Sequence, residues 1–295
     1  MGKLELIYRA GSASPEEGDF TLVVTFSKVW CFKRFWENFR KLRIPMDICH
    51  LLIYDNSDIK RLGKLLVDVG MELSKGFKSV WVYKSWRRGS GQFAWEKHTP
   101  WIGSKTKYIY LMQRDIVELV KTDIYVQFED DTLPPRNAVP RLLKIIESKE
   151  DCGIATAIET GRKNTIEPVG LGVHSLVEKK GDFIVKRISC DPNTKGIVEV
   201  QACGFYCFAT LRHVFARAVA DCDKVKSKLP RWGLDTWITN KILEYGYKIY
   251  ADFSLWCKHM QLAQGSIYYY SKKDARQDCY VWVPELKGYA YYIKK

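Results

Sequence analysis

Apolar positions along the chain follow two periods. The runs "FTLVVTF" (20–26), "ICHLLIYDNSD" (48–58), "KSVWVYKSW" (78–86), "TDIYVQF" (122–128) and "CGIATAI" (152–158) are dense in β-branched and aromatic residues, with little polar alternation. That texture predicts strands buried on both faces, as in a parallel sheet covered by helices. Between these runs the spacing changes to three and four. Phe32, Phe35, Trp36 and Phe39 stripe one face of "SKVWCFKRFWENFRKL" (27–42), where Ser27 is a residue type suited to capping. "DIKRLGKLLVDVG" (58–70) predicts a helix closed by Gly70, "KYIYLMQRDIVELVK" (107–121) another, and "PPRNAVPRLLKIIESK" (134–149) one opened by prolines. Strands alternating with helices predict an α/β fold with a mostly parallel sheet.

The second half is less regular. "GDFIVKRISCD" and "KGIVEVQACGFYCFA" read as antiparallel or mixed strands, "LRHVFARAVADC" and "LDTWITNKILEYG" as helices with Gly246 ending the latter, and "YKIYADFSLWCKHM" as a last strand with a polar end. From about residue 265 the composition shifts to Tyr and Lys, which reads as a tail. The aromatic stripe at 32–39, interleaved with Lys33 and Arg34, is read as core packing rather than as a surface for stacking bases.

Composition narrows the class. With 46% hydrophobic residues the 295-residue chain can fill a large core. No stretch approaches 18 uncharged apolar residues and the opening residues lack a basic-then-apolar layout, so the expectation is a cytoplasmic protein, in a host cell if viral, with a peripheral membrane association left open. The nine cysteines are scattered and set in apolar runs, which favours reduced, buried thiols; Cys203, Cys207 and His213 are read as packing rather than a zinc site. Lys and Arg outnumber Asp and Glu by 47 to 34, a net charge of +13 that attracts anionic partners such as nucleic acid, a membrane face or phosphorylated substrates.

In an open parallel sheet, ligands bind beyond the carboxyl ends of the strands. "IYDNSD" puts Asp55 at one such end, suited either to a turn or to a ribose or base contact. "FEDD" puts Glu129, Asp130 and Asp131 at another, where three adjacent carboxylates repel one another unless a cation or donors receive them. "RWGLDTW" sets Asp235 at a helix start between Trp232 and Trp237, and His259 follows 24 residues later in "LWCKHM". The "SWRRGSG" loop, with Arg87 and Arg88, can cradle phosphate or be a solvated turn.

In this order and spacing the chain resembles the GT-A nucleotide-sugar glycosyltransferases, especially the large inverting family that includes bacterial and viral sugar transferases. The resemblance rests on "FTLVVTF", "IYDNSD", "FEDD", "GLDTWITNKILEYGYKIYAD" and "KHM" and covers roughly residues 19 to 262. Two features depart from the family pattern: Glu129 opens the acidic motif where Asp is usual, and Leu234 stands where a second carboxylate is common.

The resemblance implies a GT-A (Rossmann-like) fold with a mixed, mostly parallel sheet and helices on its faces. It implies a nucleotide-binding half (19–135) and an acceptor half (136–264), which leaves an N-terminal extension (1–18) and the C-terminal tail (265–295) that composition marks. It implies Mn²⁺ or Mg²⁺ held by Asp131, His259 and Glu129. A nucleoside diphosphate sugar, UDP-linked as first choice, would sit against Phe26, Asp55, Arg88 and Asp130. Asp235 would be the general base of an inverting transfer, with Trp232 and Trp237 walling the sugar or acceptor. The acceptor is expected to be a saccharide or glycoconjugate, or a modified DNA base, and no obligate protein partner is implied. A nucleotidyltransferase and a non-catalytic nucleic-acid- or sugar-binding module are the alternatives; the first lacks its Gly-rich loop after "FTLVVTF" and the second leaves the acidic motif unexplained.

Overall fold

The computed structural model describes residues 4–11, 14–57, 59–86, 103–160, 170–180, 183–224, 234–263, 266–275, 278–283 and 288–293. In chain order the strands are β1 (Leu4–Gly11), β2 (Phe20–Phe26), β3 (Cys49–Asp55), β4 (Ser79–Ser85), β5 (Ile124–Glu129), β6 (Thr132–Leu133), β7 (Cys152–Ile158), β8 (Val173–Lys180), β9 (Phe183–Ser189), β10 (Ile197–Val200), β11 (Ala202–Cys203), β12 (Cys207–Leu211), β13 (Lys248–Trp256), β14 (Lys258–Ala263), β15 (Ser266–Tyr270), β16 (Asp278–Val283) and β17 (Gly288–Ile293). The helices are α1 (Phe32–Phe39), α2 (Lys60–Leu73), α3 (Gly103–Leu119), α4 (Ala138–Ser148), α5 (Arg212–Lys224) and α6 (Leu234–Glu244).

The main sheet runs β1-β4-β3-β2-β5-β12-β7-β13-β10. Pairing is parallel from β4 through β3 and β2 to β5 and again between β7 and β13, and antiparallel at β1, β12 and β10. The apolar runs make this sheet because both of its faces are covered. Leu22, Val24, Leu51 and Ile53 meet Phe35 and Trp36 of α1, Leu66 of α2 and Leu142 of α4 on one face. Val23, Leu52, Tyr54 and Tyr125 meet Ile116 of α3, Phe215 of α5 and Ile238 of α6 on the other. Strand alternation therefore sorts one continuous apolar run into two cores. The result is a three-layer α/β/α unit.

Several elements differ from the sequence reading. The extension 1–18 contains β1, which adds an antiparallel edge strand to β4. Ser27 does not cap α1; the helix begins five residues later, and Ser27 turns its N–H toward Asp130. Gly70 does not close α2, which runs on to Leu73; a Cβ there would stand 3.0 Å from Val82 and 3.2 Å from Tyr8, so glycine lets the helix lie close on the sheet. Gly246 does end α6, at φ +87°.

The single last strand is two. β13 ends at Trp256, Cys257 donates its N–H to Ile158 O (2.8 Å), and β14 crosses to pair with β6 and β15. The tail continues the fold: β16 and β17 extend β11, β8 and β9 into a second, five-stranded sheet. Among the described residues eight cysteines are buried and unpaired; Cys203 and Cys207 lie in β11 and β12 as core residues. Among the described residues no helix is long and apolar enough to cross a membrane.

Candidate metal and donor site

The parallel register aligns three strand ends. Phe26 stands opposite Asp55, Thr25 opposite Glu129, and Asp55 opposite Lys84. The segments leaving β2, β3 and β5 thus open at one edge, where the chain concentrates its carboxylates.

Asp130 folds back under the β2–α1 turn. Its Oδ2 accepts the main-chain N–H groups of Ser27 and Lys28, both at 2.7 Å, and its Oδ1 takes the Lys28 ammonium at 2.8 Å. Two convergent amides and an ammonium make burial of this charge tolerable. The same Lys28 Nζ lies 3.0 Å from Asp131 Oδ2. One ammonium therefore bridges the two adjacent carboxylates that electrostatics requires something to neutralise.

His259 reaches Asp131 because β14 pairs with β6 in a register that sets His259 opposite Thr132, and Met260 N–H closes on Asp131 O at 2.8 Å. Its Nδ1 donates to Thr160 O at 2.7 Å, and its Nε2 faces Asp131 Oδ2 at 3.8 Å. A backbone carbonyl on Nδ1 selects the tautomer whose Nε2 lone pair points at the carboxylate, the usual preparation of an imidazole for a metal. The acidic motif and the distant histidine are thus brought together. Glu129 donates its main-chain N–H to Tyr206 O (3.0 Å) at the same strand end. Among the described residues no three His, Cys, Asp or Glu side chains form a metal-holding group. Asp131 and His259 are a two-residue donor set, one hard oxygen and one imidazole, and such a set fits a Mn²⁺ that takes its other ligands from water and phosphate.

Glu159 was not singled out from the sequence. It follows β7, accepts the Thr132 hydroxyl at 2.7 Å and lies 3.5 Å from His259 Nδ1. Burial pushes its carboxyl well above the usual range, with Cys257, Asp131 and Glu129 adding to the effect and the Thr132 hydroxyl opposing it. The signal was present: "CGIATAIE" is a buried strand ending in a carboxylate, as "YVQFE" is.

Asp55 is fully buried and engaged within the protein. Oδ2 takes the Lys84 ammonium at 2.8 Å, and Oδ1 accepts the Ser57 N–H at 2.9 Å and hydroxyl at 2.7 Å. Burial raises its pKa while Lys84 and Ser57 pull it down. Lys84 also bonds Ser57 O, so the pair fixes the turn after β3. The Phe26 ring is core, stacked on Trp36 with centroids 5.4 Å apart; only its main chain reaches the edge, its carbonyl accepting Asn56 N–H at 2.8 Å. Trp237 is also core, packed in the α3–α5–α6 layer with the Lys241 ammonium 5.3 Å from its ring centroid. Neither ring is therefore a wall of an open site. Arg87, Arg88 and Trp232 lie outside the described residues.

Asp235 opens α6, its Oδ1 accepting the Thr236 N–H at 2.8 Å. A backbone ladder ties this helix start to the acidic edge: Gly172 N–H meets Glu159 O and Gly204 N–H meets Gly172 O, each at 2.8 Å, while a Cβ on Gly204 would stand 3.6 Å from Asp235 Oδ2. The Tyr206 ring wedges between the two glycines, since a Cβ at Gly172 or Gly204 would come within 2.5 or 2.8 Å of it. Its hydroxyl bonds Ala157 O at 2.9 Å.

No family model and no curated protein matches the chain. Solved structures match its fold. GalNAc-T7 with UDP, GalNAc and Mn²⁺ aligns at TM-score 0.56 and 17% identity over 84% of this chain, which spans 44% of that one. The mannosyltransferase PcManGT from Pyrobaculum calidifontis, in complex with GDP-Man and Mn²⁺, aligns at 0.46 and 13% over 81% of this chain and 59% of that. A197 from STIV aligns at 0.40 and 10%, over 85% and 93%. The likeness is one of fold, and the fold is GT-A.

Proposed function

We propose that the chain is a metal-dependent glycosyltransferase that moves a sugar from a nucleoside diphosphate sugar to an acceptor hydroxyl. The observation that carries this reading is the pairing of His259 Nε2 with Asp131 Oδ2 at 3.8 Å, with Nδ1 held by Thr160 O. The GT-A fold adds support, because GalNAc-T7, the neighbour with the higher TM-score, is described with UDP and Mn²⁺.

Asp131 and His259 would hold Mn²⁺, with Mg²⁺ as the alternative; Glu129, which the resemblance implies as a third ligand, does not group with them. Bound there, the ion supplies Lewis-acid neutralisation of the charge that grows on the leaving diphosphate. The other steps belong to the chain. Asp130 and Asp55 are buried and engaged, and in this reading they position the turns after β2 and β3 against which the nucleoside lies. Asp235 takes the proton of the acceptor hydroxyl as it attacks the anomeric carbon from the far face, which makes the transfer inverting. A positioned base contributes about 10²- to 10⁴-fold in rate. Trp232 and Arg88 remain candidates for the sugar wall and the phosphate contact.

A net charge of +13 favours an anionic acceptor or acceptor surface. A saccharide or glycoconjugate is the first choice and a modified DNA base the second, in the cytoplasm of the producing or host cell. Incubation with Mn²⁺ and a panel of nucleotide sugars tests the reading through donor hydrolysis and thermal shift. Metal-dependent stabilisation by at least one nucleoside diphosphate is expected, and none across the panel sinks it. A salt-dependent gel shift with duplex DNA then separates the acceptors.

A further inference from the structure

The acidic edge already holds a cation of its own. Lys28 Nζ bridges Asp130 Oδ1 at 2.8 Å and Asp131 Oδ2 at 3.0 Å, and the Asp131 oxygen it contacts is the one that faces His259 Nε2. A divalent ion held between Asp131 and His259 would sit against this ammonium, and two cations a few ångströms apart repel strongly. We propose that Lys28 is a resident counter-cation that the metal displaces from Asp131, so that the side chain sets the threshold for metal loading. This inference rests on the metal reading above.

Three observations make the exchange physically reasonable. The backbone at position 28 is anchored independently of its side chain, because the Lys28 N–H bonds Asp130 Oδ2 at 2.7 Å, so the turn survives when the ammonium leaves. Asp130 keeps that N–H and the one from Ser27, and is therefore not left bare. The Lys28 side chain is 13% exposed while those of Asp130 and Asp131 are essentially sealed, so of the three it is the group that reaches solvent. Its four-carbon stem is flexible and its point charge needs no fixed fork, which suits a group that must let go. Without metal, the bridge keeps two neighbouring carboxylates from repelling each other.

The test compares the wild-type protein with Lys28→Met and Lys28→Gln, the second keeping an N–H to donate to Asp130 should the first fail to fold. Mn²⁺ affinity is read by calorimetry and melting temperature is recorded with and without Mn²⁺. Removing the ammonium is expected to tighten Mn²⁺ binding by about ten-fold or more. It should also lower the metal-free melting temperature and enlarge the rise that Mn²⁺ produces. Lys28→Arg, which keeps the charge, should bind Mn²⁺ no more tightly than wild type. Binding by the neutral variants alone gives the strongest support. Wild type binding Mn²⁺ while the neutral variants bind it no better overturns the role of Lys28 and leaves the metal site standing. Failure of every protein to bind Mn²⁺, with or without a nucleoside diphosphate, overturns both.

Discussion

The two ends of the central sheet carry the same residue types in opposite states. At the amino ends of the strands, Asp19 Oδ2 accepts Glu16 N–H (2.7 Å), His50 Nε2 lies 3.0 Å from the same oxygen, and the Lys78 ammonium is 2.8 Å from it. His50 Nδ1 completes the network with Ser79 Oγ at 2.7 Å. Burial works to raise the Asp19 pKa, but the Glu16 amide, Lys78 and His50 bring it down to about 2. At the carboxyl ends, Asp131 shares its lysine with Asp130 and meets its histidine at 3.8 Å, beyond hydrogen-bond length. Both ends contain carboxylate, imidazole and lysine. The first closes at hydrogen-bond distances and is structural; Ser79, placed as in a nucleophile relay, is buried where no substrate reaches it. The second sets two adjacent carboxylates on one shared ammonium and holds its imidazole at a longer distance. A cavity of about 400 Å³ lies at the amino end, lined by Glu16, Asp19, Lys121 and Asp123 among others.

Substitutions at each end should separate the two roles. The largest effect is expected for Asp235→Asn: sugar transfer falls by about 10²- to 10⁴-fold while Mn²⁺-dependent donor binding is kept, measured as initial rates beside a thermal shift with the nucleotide. Loss of donor binding as well would remove Asp235 from the role of base. Asp131→Asn should cost about 10²-fold or more in transfer and abolish Mn²⁺-dependent stabilisation, with the metal-free fold retained. Asp19→Asn should do the reverse. It leaves Lys78 and His50 without their shared carboxylate and destabilises by about 3 kcal/mol in urea unfolding, while turnover per folded molecule stays unchanged. A fall in turnover at Asp19 would erase the distinction between the edges.

The pH response sharpens the same contrast. With its pKa held down at about 2, Asp19 gives stability that is fully present above its unfolded value near 4 and is lost as pH falls from there toward 2. Urea midpoints taken from pH 5 to 2 should drop for the wild type, and the drop should be smaller for Asp19→Asn. Equal slopes would show that the network does not hold this carboxyl down.

How much of this was legible in the sequence depends on how locally each feature is encoded. The central strands were readable because burial on both faces demands unbroken apolar runs, and Gly246 was readable because a left-handed helix end needs glycine. β1 was not: it is an edge strand with an irregular, largely exposed pattern. The break between β13 and β14 was hidden because only Cys257 separates them, with no Gly, Pro or Asn to mark a turn. At the site, the carboxylates could be located, since strand ends follow from the runs before them. The meeting of Asp131 with His259 was implied only by resemblance, because it depends on β14 crossing back to β6. Phe26 and Trp237 show the opposite case: the resemblance implies a binding role for an aromatic near a motif, and the strand face or helix face turns each into core.

The smallest effect is expected at Glu159, and its smallness is informative. Its carboxyl is buried, accepts the Thr132 hydroxyl and is pushed up from the usual range by burial, so it is engaged within the protein beside His259. Glu159→Gln keeps the shape and the oxygen that accepts from Thr132 while removing any charge. Stability should therefore change by less than about 1 kcal/mol and Mn²⁺ affinity by no more than about three-fold, read by urea unfolding and calorimetry. A carboxylate charged in the folded protein, or one bound directly to the metal, would instead make this substitution as damaging as Asp131→Asn. The comparison of the two variants thus decides which buried acid at this edge meets the cation and which one only shapes the floor beneath the histidine.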